Sequence, residues 1–253
     1  MKKLIYILPL FIFATACSNR AMKDKLVMID SLVVHELYDS AYSVLAEIDT
    51  TLLNDQDSKA HYYLLRKHLG YLTPHCDSTN TLDSIVIPYY TSTDNKEKLV
   101  EAYYYKAYGE ITSGNTKEAI IDYKRAEELA NQTEDPRLQY KVYEVLSVVN
   151  ERTGNYNLSL DYAKKALKLS SLINNPRWTC DALYNMALVY NRLHEKDSCF
   201  YYLEKIEPLL KYVQKKDLPN TLISIAYFYK HTKPEKAKYY LEGLYQKQRH
   251  HML

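Results

Sequence analysis

Glycine and proline are scarce in this chain, at 5 and 8 of 253 residues. So few turn formers exclude a sandwich or barrel of many short strands and favour long uninterrupted helices. Five glycines also leave little room for a Gly-rich phosphate loop, and none of the known spacings occurs. Neither charge is in excess. The 33 basic residues face 31 acidic ones, and removing Lys2 and Lys3 with the leader described below leaves 33 − 2 = 31, a balance of zero. A nucleic-acid binder needs a basic surplus to displace counterions, so nucleic acid is not an expected partner. No apolar run reaches the roughly 20 residues that a spanning helix requires. Phe and Trp are rare, at 4 and 1, whereas Tyr reaches 27. Tyr offers an apolar ring with a polar tip and half-buries between helices. The 47% hydrophobic share is ample for a core, and the tyrosines imply a thin one with much surface.

The chain opens on an address. Met1-Lys2-Lys3 is basic, and Leu4 to Ala16 is an apolar stretch of 13 residues, the size of a signal-peptide core. Ala14-Thr15-Ala16-Cys17 follows, and this resembles a bacterial lipobox, although Ala14 stands where Leu is commoner. The resemblance implies a lipoprotein signal peptide at 1–16, lipid attachment at Cys17, a short tether at 17–21 and a membrane anchor. An ordinary secretory signal with an incidental cysteine is the alternative. Cys76, Cys180 and Cys199 remain, and three cannot all pair within one chain. On the repeat alignment below, Cys180 and Cys199 are about seven residues out of register, on the order of 10 Å along a helix, too far for a bridge. Both are expected to be small core residues.

Sliding the chain against itself by 40 positions brings like onto like. Tyr103, Tyr143 and Leu183 align, as do Ala107, Ser147 and Ala187, and Gly114, Gly154 and His194. Ala119, Ser159 and Cys199 form a further column, as do Ala126, Ala166 and Ile206. The breakers Asp135-Pro136-Arg137 and Asn175-Pro176-Arg177 match too. Each unit reads as two helices: apolar residues recur at helical spacing over 101–112, Ser113-Gly114-Asn115 breaks the run, and a second helix continues to Ala130. Gly114 supplies the positive φ that ends a helix, and Asn115 with Glu118 is expected to form a capping box. Small residues at Ala107 and Ala119 mark the crossing of the two helices. Ala226 and its neighbours extend the array at a spacing of 39, with Thr232-Lys233-Pro234-Glu235 as a helix start. Upstream, 60–71 with 81–90 and 26–34 with 41–48 complete six expected hairpins.

The set Tyr103, Ala107, Gly114, Ala119, Tyr123 and Ala126 resembles the tetratricopeptide (TPR) motif. It implies an all-α, TPR-like solenoid over 22–253, with a period of about 40 residues in place of the commoner 34. The stretches Ile29-Asp30-Ser31-Leu32, Tyr38-Asp39-Ser40-Ala41-Tyr42-Ser43-Val44-Leu45 and Leu99-Val100-Glu101-Ala102-Tyr103-Tyr104-Tyr105 are similar to TPR lipoproteins and TPR sensor regions of Bacteroidetes. The resemblance implies an interaction scaffold or adaptor with a protein or peptide partner. Two alternatives are a truncated sensor ectodomain related to TPR-containing transcriptional regulators and an outer-membrane assembly lipoprotein. Against the sensor plan, no second long apolar run follows the repeats. The stretch after Cys17, Ser18-Asn19-Arg20-Ala21-Met22-Lys23, lacks the acidic cluster of surface-exposed relatives, so a periplasm-facing position is expected. Transferring the groove positions of TPR proteins gives Tyr104, Tyr108, Glu144, Val148, Tyr184, Leu188 and Asn191 as candidate partner contacts, with packing between hairpins as the bland alternative for the tyrosines. The Lys and Asn set that clamps a C-terminal carboxylate in some TPR proteins is missing.

No catalytic residues, metal ligands or cofactor site are expected. His61, His68 and His75 recur every seven residues, but no carboxylate stands at the spacing that completes a ligand set. No nucleophile-elbow motif occurs. Neither an enzyme nor a small-molecule substrate is expected.

Overall fold

A computed structural model describes residues 7–72, 80–215 and 217–249, with side chains described between 20 and 242. The Cys17 side chain and the leader side chains lie outside this range, as do His75, Cys76 and His250-His251. The described residues hold twelve α-helices and no strand. They are α1 (Ile7–Val34), α2 (Tyr38–Ala46), α3 (Gln56–Leu72), α4 (Ile87–Ser92), α5 (Lys96–Thr112), α6 (Thr116–Ala130), α7 (Pro136–Arg152), α8 (Tyr156–Ile173), α9 (Pro176–Arg192), α10 (Lys196–Ile206), α11 (Leu218–Tyr229) and α12 (Pro234–Arg249). Taken in order they pair as six hairpins. The chain forms two compact units, Met1–Glu134 and Asp135–Leu253.

The turns inside hairpins repeat one device. Gly114, Gly154 and His194 stand 40 residues apart and take φ of 86°, 83° and 62°. The next residue closes the helix end each time: the N–H groups of Asn115, Asn155 and Glu195 donate to the carbonyls of Glu110, Asn150 and Tyr190 at 2.8, 2.8 and 2.9 Å. This is the Schellman pattern. His194 accepts a left-handed backbone that costs a non-glycine residue about 1–2 kcal/mol.

The capping box expected at Asn115 is not formed. Asn115 and Asn155 sit at ψ of 59° and 58° with no side-chain cap, whereas Asp135 and Asn175, at ψ of 104° and 100°, do cap the helices that follow. Capping side chains typically sit on an extended backbone. The closing bond does not decide the matter, because Asn175 caps although its own N–H donates to the Ser170 carbonyl at 3.1 Å in the same Schellman manner. At α12 the helix begins at Pro234, as the proline implies, so Thr232 lies one position too early to be its N-cap. A further departure falls in the fourth helix, expected over 81–90. Residues Leu82–Val86 form a π-helical turn, with the Ile87 N–H bonded back to Leu82. The slip comes immediately before Pro88, which has no N–H to continue the ordinary ladder.

Where paired helices cross, the small-residue columns do what their size permits. Ala107 with Ala119 and Ala187 with Cys199 are fully buried. The equivalent Ser147 and Ser159 are buried too, and Ser159 Oγ donates to the Ser147 carbonyl at 2.7 Å. In the first unit, one core gathers Leu26, Ile29, Leu45 and Leu69, and another gathers Leu64, Val86, Tyr90 and Tyr105. The large core of the second unit runs from Cys180 and Ala187 through Leu203 and Ile225 to Tyr229 and Tyr240. Cys180 and Cys199 are both free thiols inside it, and burial pushes them up to about 12 and about 11. Such thiols are inert at neutral pH.

Candidate functional site

The candidate contacts divide between the units, and each set belongs to its own unit. In the first, Tyr104 is half-buried on α5, edge-on to Tyr123 of α6 at 5.7 Å between ring centres. Tyr108 lies one turn further along α5, 37% exposed, with Tyr71 of α3 4.6 Å away. Gly109 keeps that approach open, since a side chain there would run into the Tyr71 hydroxyl. Tyr71 and His68 also stack on the buried Tyr105, at 6.3 and 4.5 Å. Tyr71 and His68 with Tyr105 and Tyr108 join neighbouring hairpins, whereas the Tyr104 ring meets Tyr123 inside its own hairpin.

Two of the three regularly spaced histidines have definite contacts. His61 on α3 meets Asp30 of α1 at 2.8 Å, and Asp30 lies 3.7 Å from Lys98 of α5. Burial pushes the Asp30 carboxyl up, but the His61 hydrogen bond and the Lys98 charge outweigh it and hold the group below its ordinary range. His61 and His68 therefore serve as links between helices.

In the second unit the first helices of two successive hairpins, α7 and α9, carry the other five candidates. Glu144 on α7 is half-buried and accepts a hydrogen bond from Asn185 Nδ2 on α9 at 3.2 Å. Burial pushes its carboxyl up to about 7; the Asn185 bond opposes that shift and Asp181 adds to it. Val148 is half-buried one turn on. Tyr184 meets Phe228 of α11 edge-to-face at 6.0 Å, and Leu188 packs beside it on the same core. Asn191 accepts a hydrogen bond from Lys196 Nζ at 2.6 Å.

Several residues of this face escape the transferred positions. Asn185 is one. Glu151 and Arg192 are a second pair between α7 and α9, with Arg192 Nε 2.5 Å from Glu151 Oε1. Both pairings have a separation of 41 residues, so the sequence did carry a signal for them. On α11, the spacing of 39 turns Tyr184 and Leu188 into Ile223 and Tyr227. These two are 50% and 71% exposed, the most open apolar side chains at these positions. Among the described residues no group of three or more His, Cys, Asp or Glu is placed to hold a metal ion, and no helix is long and apolar enough to cross a membrane.

No protein-family model matches the sequence, and no curated protein matches it. Solved structures do. A signal-transduction ATPase with numerous domains and a tetratricopeptide repeat sensor, from Pyrococcus horikoshii, superimposes with a TM-score of 0.70 at 16% identity over 92% of this chain. A Rap protein complexed with Competence and Sporulation Factor gives 0.69 at 16% identity over 93%. BtubC from P. vanneervenii gives 0.56 at 12% identity over 94%. The fold is an all-α, TPR-like helical repeat. The chain spans 37% of the length of the first structure, 67% of the second and 92% of the third. At these identities the TPR-like likeness concerns architecture, and function has to be argued from the faces described above.

Proposed function

We propose that this chain is a lipid-anchored, periplasm-facing scaffold whose TPR-like repeats hold a protein or peptide partner. One observation carries the partner reading. On the first-helix face of the second unit, Tyr184 and Leu188 lead on to Ile223 and Tyr227, which stand half or more in water. Apolar side chains clustered in water with polar groups around them mark interaction surfaces, and Tyr is a frequent anchor in them. The Rap protein, of similar fold and solved with Competence and Sporulation Factor, supports the same reading. A photo-crosslinker at position 227 is expected to capture a defined partner in the native envelope. The capture should fail when Ile223→Ser and Tyr184→Ala are added, with the helical circular dichroism unchanged. Equal capture from the exposed Leu172 of α8 would defeat the assignment.

The address rests on the basic start, the short apolar stretch and Cys17. Labelled palmitate is expected to enter the wild-type protein, and Cys17→Ala should abolish the label; equal labelling of both forms removes the anchor. A sensor ectodomain is the second reading, favoured by the likeness to a TPR sensor. A neighbouring reading frame encoding a membrane helix and an output domain would raise it above the scaffold.

A further inference from the structure

Two rungs join α7 to α9, and they differ in one respect. Glu151 meets Arg192 and forms an ion pair at 2.5 Å. Seven residues earlier on each helix, the same register brings Glu144 to Asn185 at 3.2 Å. An amide donates a hydrogen bond but neutralises nothing. A carboxylate drawn out of water is unfavourable without a cation beside it, and Glu144 has no ion pair among the described residues. The charged groups that bear on it are Asp181 on α9, which adds repulsion, and Arg152 further along α7, which offsets it in part. Burial accordingly keeps the proton on Glu144 up to about 7. The upper rung is therefore short of one positive charge that the lower rung has.

We propose that the Glu144–Asn185 rung seats a lysine or arginine side chain of a bound peptide segment, which takes the place that Arg192 holds beside Glu151. The seat lies on the face that also presents Tyr184, Leu188, Ile223 and Tyr227, so the segment is basic at one position and apolar or aromatic beside it. The inference rests on reading that face as a partner site. Above the carboxyl's titration the seat is negative and the cation is held; below it the proton occupies the same place and the cation is refused.

A random peptide library displayed on phage tests this, panned on the purified chain at about pH 8 and about pH 5.5, on either side of the Glu144 titration. Clones selected at the higher pH should share a Lys or Arg at one position. Glu144→Gln keeps the shape and removes the charge, and should bind the synthetic consensus peptide at least about tenfold more weakly. Asn185→Arg supplies the missing cation from within, copying the Glu151–Arg192 rung, and should lose the basic preference as well. Both variants are checked for unchanged helical circular dichroism, and the wild type at the lower pH should behave like Glu144→Gln. Clones with shared apolar positions but no basic one, bound equally by Glu144→Gln, would overturn the proposal and leave the partner face standing. Failure to enrich any clone would overturn both.

Discussion

Tyr229→Ala is expected to lower the stability of the second unit by about 3–5 kcal/mol, the range for removing a large aromatic from a packed core. Tyr229 is wholly buried. Its ring stacks on Phe200 of α10 at 5.0 Å and on Tyr240 of α12 at 5.9 Å, both within 10° of parallel. Three helices thus share one column of rings, and removing the middle ring leaves two unsupported. Tyr229→Phe separates the contributions. The hydroxyl makes no well-aligned hydrogen bond among the described residues, and only the partly exposed Lys236 ammonium bears on it, so deleting it should change stability by less than about 1 kcal/mol or raise it. Urea titration of both variants reads the difference, and amide exchange should place the loss of protection in α10 to α12. A Phe variant as damaged as the Ala variant would show that the hydroxyl, and not the ring column, holds the helices.

Arg192→Ala should cost about 2 kcal/mol, unusual for a side chain half in water. Ion pairs at the surface are normally worth less than about 1 kcal/mol. Here the partner decides the outcome: the Glu151 side chain is only 6% exposed, against 52% for Arg192. Taking Arg192 away strands a buried carboxylate, and that penalty exceeds the value of the pair itself. Glu151→Gln with Arg192→Ala should recover most of the loss, because no charge is then left inside. A double-mutant cycle by urea titration measures it, and a double variant no more stable than Arg192→Ala would refute this account.

The repeat was legible because it rests on size and backbone freedom. A position where two helices cross admits only a small residue, and a chain reversal at positive φ favours glycine, so Ala107, Ser147, Ala187 and Gly114, Gly154 recur in plain sight. The caps were less legible. Asn115 and Asn175 are the same residue type, yet ψ of 59° and 100° separates an idle side chain from a capping one, and residue type alone does not set ψ. The π turn ahead of Pro88 was implied only by the proline. Among the candidate contacts, transferred positions found Glu144 and Tyr184 but not what they touch. Asn185, Glu151 and Arg192 join helices across a separation of 41 residues, and polar partners of that kind become apparent only when neighbouring hairpins are laid side by side. Ile223 and Tyr227 follow from Tyr184 and Leu188 at the same spacing of 39 that places Ala226.

Trp178 gives the chain an optical property of its own. It is the only tryptophan in the chain, and its indole lies face to face with the Tyr140 ring at 4.5 Å, tilted by 4°, while the Tyr140 hydroxyl donates to the Trp178 carbonyl at 2.9 Å. The two rings belong to successive hairpins, α7–α8 and α9–α10. Indole emission therefore records whether these neighbours remain docked, and it records that for the second unit alone. Light absorbed by the first unit's tyrosines marks their presence without reporting on this junction, so melting followed by fluorescence and by circular dichroism can separate local undocking from the unwinding of helices.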